Sequence, residues 1–311
     1  MNLLEEKLNP IVSLKNILFA TDFSEVSEAA LPYVAAMSLR YGGTVHVAHV
    51  LPAVNVIRPS AIDPVTIGAI YEDAHSDAQA KMQRLSMRLQ GFPHRTYIRH
   101  GTVSEILSEI IREHEVDLLV EGTHGRTGIG RLLMGSVAEQ VFRTVTCPVL
   151  TVGPKISRAP RVLERGRNED IEPTGVEFCQ ILYATDFTPQ SLAAASYAFS
   201  LAREFGSRLI LLHVIGSDDE HLQARPGPIG LALRQLEEVK PADAALRYRP
   251  RPIVKFGSPV DRVLETAEEH NAGLIVLGVR RRHFEGPVHL LWTTASKVVA
   301  RANCPVLTVR A

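Results

Sequence analysis

The chain has 311 residues, 45% hydrophobic and 22% charged, with 34 basic against 34 acidic side chains. That length exceeds one ordinary core and points to two domains. A net charge of zero supplies no long-range field for nucleic acid, and the apolar runs are too short to span a bilayer, so neither partner is expected.

Residues 1–7 lack the basic and apolar regions of a signal peptide, and the three cysteines Cys147, Cys179 and Cys304 make no disulfide framework; a cytoplasmic location is the expectation. In chain order, Lys15–Ala20 reads as a first strand, and Ser24 as the N-cap of a helix with Val26, Ala30, Tyr33, Val34, Met37 and Tyr41 on one face. Gly42-Gly43 ends that helix, and Thr44–Val50 is a second strand. A long helical segment follows, reaching about Leu89, with a third strand near Tyr97–Arg99. Gly101–Glu105 opens a helix that places Val103, Ile106, Leu107, Ile110 and Ile111 on one face. Val116–Val120 is a fourth strand and Pro148–Val152 a fifth. Apolar strands alternating with amphipathic helices predict a doubly wound parallel sheet, with ligands beyond the carboxyl ends of the strands.

Glu121–Ser136 carries glycines at 122, 125, 128, 130 and 135, then leads into helical spacing at Val137, Val141 and Thr144. Glycines allow close backbone approach, and Gly135-Ser136 falls at a helix start, where unpaired N–H groups favour phosphate.

The plan then repeats. Ile17–Ser24 returns as Ile181–Thr188, His49-Val50 as His213-Val214, and Cys147–Val152 as Cys304–Val309. The chain therefore reads as a tandem duplication: a domain over 12–154, a turn-rich linker over 155–175 and a second domain over 176–311. In the second copy Gly278-Val-Arg-Arg-Arg-His replaces the glycine-rich stretch, and Trp292-Thr293 stands opposite Gly135-Ser136. A bulky indole where the first copy leaves space implies that the second copy does not bind the same ligand in the same way.

His46 and His49 are an odd number of residues apart and so face opposite sides of a strand. Glu72, Asp73, His75 and Asp77 read as a solvated helix face, and no metal site is expected. Cys147 and Cys304 read as inert buried thiols.

With Gly122, Gly125, Gly135 and Ser136 in the spacing Gly-x2-Gly-x9-Gly-Ser, Ala20-Thr21-Asp22 after the first strand and His49-Val50 on the second, the chain resembles the universal stress protein family in a tandem two-domain form. The resemblance implies five-stranded Rossmann-like domains of strand order 3-2-1-4-5, paired through their last strands as a pseudo-dimer. It also implies ATP, with Mg²⁺, in the first domain. Ala20, Thr21 and Asp22 would border adenine and ribose, Asp22 accepting from a ribose hydroxyl, and Val50 would border adenine. Gly122 and His124 would border the sugar or phosphates, and Gly125, Gly135, Ser136 and Val137 would surround the phosphates. Glu121 departs from the family, whose ATP binders commonly carry an apolar residue there.

No P-loop, dinucleotide fingerprint or committed base stands in the sequence, so no catalytic residue is assigned. The expected function is an ATP-binding stress-response or regulatory protein. Two alternatives stay open: an interaction or protective protein acting on a protein partner through its paired domains, and a slow Mg²⁺-dependent ATPase. Association of two chains as a homodimer is also expected.

Overall fold

The computed structural model describes residues 12–52, 64–122, 140–141, 144–153, 156, 178–216, 226–240, 245–279 and 293–310. They form two compact units, residues 14–147 making one and residues 12–13 with the described residues from 148 onward the other, so that the main division falls between Cys147 and Pro148.

The unit before that division holds strands β1 (Asn16–Ala20), β2 (Thr44–Leu51), β3 (His94–His100) and β4 (Leu118–Gly122), with helices α1 (Glu25–Glu28), α2 (Leu31–Tyr41), α3 (Pro64–Arg88) and α4 (Val103–Glu113). The four strands are parallel, in the order β3-β2-β1-β4. Ile17, Leu18 and Phe19 on β1 and Leu118, Leu119 and Val120 on β4 are buried without alternation. A sheet covered by helices on both faces requires that pattern.

The other unit contains β5 (Val149–Val152), β6 (Gln180–Ala184), β7 (Arg208–Ile215), β8 (Arg251–Phe256), β9 (Leu274–Val279) and β10 (Val306–Arg310). Its helices are α5 (Pro189–Phe205), α6 (Pro226–Glu238), α7 (Pro259–Glu269) and α8 (Thr294–Arg301). The second repeat's own strands run β8-β7-β6-β9-β10, the predicted 3-2-1-4-5 order, all parallel. The last strand of the first repeat, β5, pairs antiparallel with β10, with Leu150 opposite Leu307. Pairing of the two last strands is what the family resemblance implied.

The first predicted helix is broken. It appears as α1 and α2, with Pro32 in the first turn of α2. Proline lacks the N–H that would continue the α1 ladder, and its ring clashes with the preceding turn. The corresponding residue in the second repeat is Ser196, and there α5 runs unbroken for 17 residues. Both helices close on a left-handed glycine, Gly42 at φ 60° and Gly206 at φ 62°. Cys147 and Cys304 are buried, Cys179 is exposed, and none forms a disulfide.

A crevice at the carboxyl ends of the first repeat's strands

Thr21, Asp22 and Phe23 follow β1 as a tight turn held from several directions. The Thr21 amide donates to the Ala48 carbonyl at 3.0 Å. The Thr21 hydroxyl meets Ser27 Oγ at 2.5 Å and accepts from the Phe23 amide at 3.0 Å. Asp22 Oδ1 accepts from the Ser24 amide at 3.0 Å, and Ser24 Oγ caps α1 by accepting from the Ser27 amide at 3.2 Å. Phe23 lies in the left-handed region at φ 61°, a conformation costly for a residue with a Cβ. His49 holds it there: Nδ1–H donates to the Thr21 carbonyl at 2.8 Å, and the imidazole lies 4.4 Å from the Phe23 ring.

The second repeat builds the same turn. Phe187 sits at φ 60°, its amide donates to Thr185 Oγ1 at 3.0 Å, and Asp186 Oδ1 accepts from the Thr188 amide at 3.1 Å. His213 Nδ1 donates to the Thr185 carbonyl at 2.9 Å. The Ala-Thr-Asp-Phe and His-Val signals therefore record a turn that both repeats need, whether or not the glycine-rich motif is kept. Sequence reading assigned them to a ligand and missed that structural role; their recurrence in the degenerate copy was the signal for it.

Gly122 ends β4 under a similar constraint. A Cβ there would lie 2.7 Å from the Val26 carbonyl oxygen and 2.8 Å from Ser27 Cα, so α1 packs directly on the strand backbone. Gly278, its counterpart, would drive a Cβ into the backbone of Gln190 and Ser191. The first glycine of the motif is thus required by helix packing in both copies.

The strand register sorts the remaining side chains by face. Ala20 is the partner of Ala48 on one side and of Glu121 on the other, so these three project the same way, and Val50, two residues beyond Ala48, joins them. His46, two residues before Ala48, shares that face, and its ring stacks on His114, the residue closing α4, with centroids 4.8 Å apart. Arg99 on β3 pairs with Glu113 of α4 at 2.6 Å. Ala20, Ala48, Val50 and Glu121 therefore lie on the α4 face, and Gly122 meets α1 on the opposite one. Ala20, Asp22, Val50 and Gly122 are partly open to solvent; Thr21 is buried.

Glu121 is the unexpected member. Only 4% of it is exposed, Oε1 has no hydrogen-bond partner among the described residues, and burial pushes its carboxyl up to about 8. Its counterpart Leu277 is 6% exposed. The fold accepts a leucine at this position, so it does not itself demand the carboxyl.

At the other end of the sheet, His46 Nε2–H donates to Asn16 Oδ1 at 3.2 Å, and Nδ1 accepts from the Tyr97 hydroxyl at 2.9 Å. Burial, together with the nearby His114 and Arg95, lowers its pKa to about 4. His75 is hydrogen bonded to Gln79 and to His100, and Asp77 pairs with Lys81 at 2.6 Å. Among the described residues no group of three or more His, Cys, Asp or Glu is arranged to hold a metal ion, and no helix is long and apolar enough to cross a membrane.

His124, Gly125, Gly135, Ser136 and Val137 lie outside the described residues. The counterpart of Ser136 is described: Thr293 is the N-cap of α8, its Oγ1 accepting from the Ser296 amide at 3.3 Å.

The architecture is that of two tandem Rossmann-like domains, each with a turn locked at the end of its first strand. The universal stress protein family profile matches residues 13–153 and again 177–310. The chain belongs to that family. A universal stress protein of Mycolicibacterium smegmatis is 27% identical over 310 residues, covering 94% of this chain and 96% of its own length. One from Methanocaldococcus jannaschii is 30% identical over 161 residues, covering 47% of this chain and 99% of itself. The crystal structure of a universal stress protein from Archaeoglobus fulgidus covers 96% of this chain and 97% of its own, with a TM-score of 0.66 at 22% identity, a likeness of fold.

Proposed function

We propose that the first repeat binds ATP and that the chain is an ATP-responsive regulatory protein of the stress response, with no committed catalytic step. The observation that carries this reading is the meeting of Asp22, Val50 and Gly122 at the carboxyl ends of three adjacent parallel strands, where ligands of doubly wound sheets sit. The described residues fit a nucleoside. Ala20 and Ala48 are small, and Asp22 keeps Oδ2 without a hydrogen bond among the described residues once Oδ1 has capped Ser24, leaving an acceptor for a ribose hydroxyl.

The phosphates would fall to Gly125, Gly135, Ser136 and Val137, with His124 beside them. The N-cap role of Thr293 supports a helix start at Ser136, and with it an anion site. Mg²⁺ would be held by the phosphates and water, as is usual for that ion. Trp292 in place of Gly135 favours the first repeat alone. We read the two repeats as a pseudo-dimer joined through their last strands, and two chains as able to form a homodimer.

The test is thermal unfolding of the whole chain with and without ATP and Mg²⁺, with Gly135→Trp as control. At one hundred times the dissociation constant, linkage adds about 2.7 kcal/mol, a rise on the order of 5–10 °C for a domain of this size. The rise is expected in the unaltered chain and absent in the variant. No rise at saturating ATP, in protein freed of co-purified nucleotide, would overturn the reading. It would leave the interaction reading, which the pairing of β5 with β10 favours.

A further inference from the structure

A buried carboxyl group without a hydrogen-bond partner is costly, and Glu121 has an apolar counterpart in the same fold. Its Oε1 has no hydrogen-bond partner among the described residues and the residue is 4% exposed, whereas Leu277 fills the equivalent place in the second repeat. Three features of its position bear on what could satisfy it. It is the immediate neighbour of Gly122. It stands one strand from Ala20, its register partner, at the ~4.8 Å strand spacing. And it projects on the same face as Val50, at the end where that face opens. A ligand resting against Ala20 and Val50 would come alongside Glu121.

We propose that Glu121 is a ligand-contacting, specificity-determining residue of this crevice, its carboxyl group hydrogen bonding the base of the bound nucleotide. The inference rests on the nucleotide reading above. A protonated carboxyl presents one donor beside one acceptor. That pair complements an amino group next to a ring nitrogen, as in adenine: the amine donates to the carbonyl oxygen and the hydroxyl donates to the nitrogen. A carboxylate offers acceptors only, so ionisation removes one of the two bonds. Burial keeps the proton on Glu121 up to about pH 8.

Among the described residues, Glu121 is the group left to titrate against the base. The residues that α4 buries, Ser104, Ile106, Leu107, Ile110 and Ile111, carry no ionisable side chain, and neither do Leu18 and Ala20 on β1. His46 shares the face from β2 and is held neutral above about pH 4. Asp22 is the other carboxyl at the crevice, directed to the Ser24 amide.

The test measures the affinity of the whole chain for ATP and for inorganic tripolyphosphate at pH 6.5 and 9.5, in the unaltered protein, Glu121→Gln and Glu121→Leu. ATP binding by the unaltered chain should weaken at least tenfold at the higher pH. Glu121→Gln, whose amide keeps a donor and an acceptor at any pH, should bind ATP with no such loss. Glu121→Leu, the second repeat's own residue and so compatible with the fold, should bind ATP at least tenfold more weakly at pH 6.5. Tripolyphosphate should not distinguish the three proteins. The inference alone is overturned if Glu121→Leu matches the unaltered chain in affinity and pH response, or if tripolyphosphate follows the same pattern as ATP. Absence of ATP binding at every pH in the unaltered chain overturns the nucleotide reading and this inference with it.

Discussion

Replacing Glu121 by leucine should stabilise the first repeat at neutral and alkaline pH, and the gain should grow with pH from about 4.5 to about 8 and then level off. The native carboxyl holds its proton to about pH 8, against 4.5 for an unperturbed glutamate. Between those values the folded chain binds a proton that the unfolded chain has released. Stability from this group is therefore complete below pH 4.5 and declines as pH rises through 8. That interval, at about 1.4 kcal/mol per pH unit, sets an upper limit of roughly 5 kcal/mol. Leucine removes the dependence and fills the site with apolar volume, as Leu277 does. The two repeats can be separated by urea titration at pH 5 to 9, with a brief hydrogen-exchange pulse at each point and mass analysis of peptides from β1 and β4. Those peptides should protect to higher urea in Glu121→Leu, by about 3–5 kcal/mol at pH 8, and the difference should shrink toward pH 5. Peptides from β6 and β9 serve as the internal reference. A difference that is flat with pH, or a variant less stable at pH 8, would refute the reasoning.

Two further outcomes follow from the same contacts. Gly122→Ala should destabilise the first repeat by about 1–3 kcal/mol even without nucleotide, because the added Cβ meets the backbone of Val26 and Ser27; Gly278→Ala should do the same to the second repeat, and urea midpoints of the free proteins check both. His46, with a pKa lowered to about 4, should make the first repeat acid-labile: the unfolded chain takes up a proton below pH 6.5 that the native imidazole refuses until about pH 4. The loss should be at most roughly 3 kcal/mol, and His46→Ile, which installs the residue of the second repeat's Ile210, should flatten that limb in the same titration.

Much of the architecture could be read from the residues because it depends on local rules. Unbroken apolar runs gave buried parallel strands. Gly42 marked its helix end, Ser24 its cap, and the repeat of Ile17–Ser24 at Ile181–Thr188 the duplication. The break between α1 and α2 was also written locally, in Pro32, but the apolar spacing on either side of it masked the interruption. What sequence could not separate was ligand chemistry from packing at one residue. Gly122 and the Thr21-Asp22 turn look like nucleotide signals, and the structure gives each a role in the fold that the second repeat shares. Glu121 posed the converse problem. A strand pattern predicts that position 121 points to one side or the other, but only the register with Ala20 and the close approach of α1 to Gly122 decide which face receives the carboxyl.

The antiparallel pairing of β5 with β10 has a consequence for how the molecule is made. The ribosome releases β5 well before β10, so the strand that will flank the second sheet waits through the synthesis of more than half of that repeat's elements. Until β10 arrives, β5 has a row of amides and carbonyls still to be matched on that side; a shortened polypeptide beginning at residue 178 would leave the matching row on β10 bare. Such a bare edge is a template for another chain. Expressing the second repeat by itself should therefore yield strand-joined dimers or aggregates through the β10 edge.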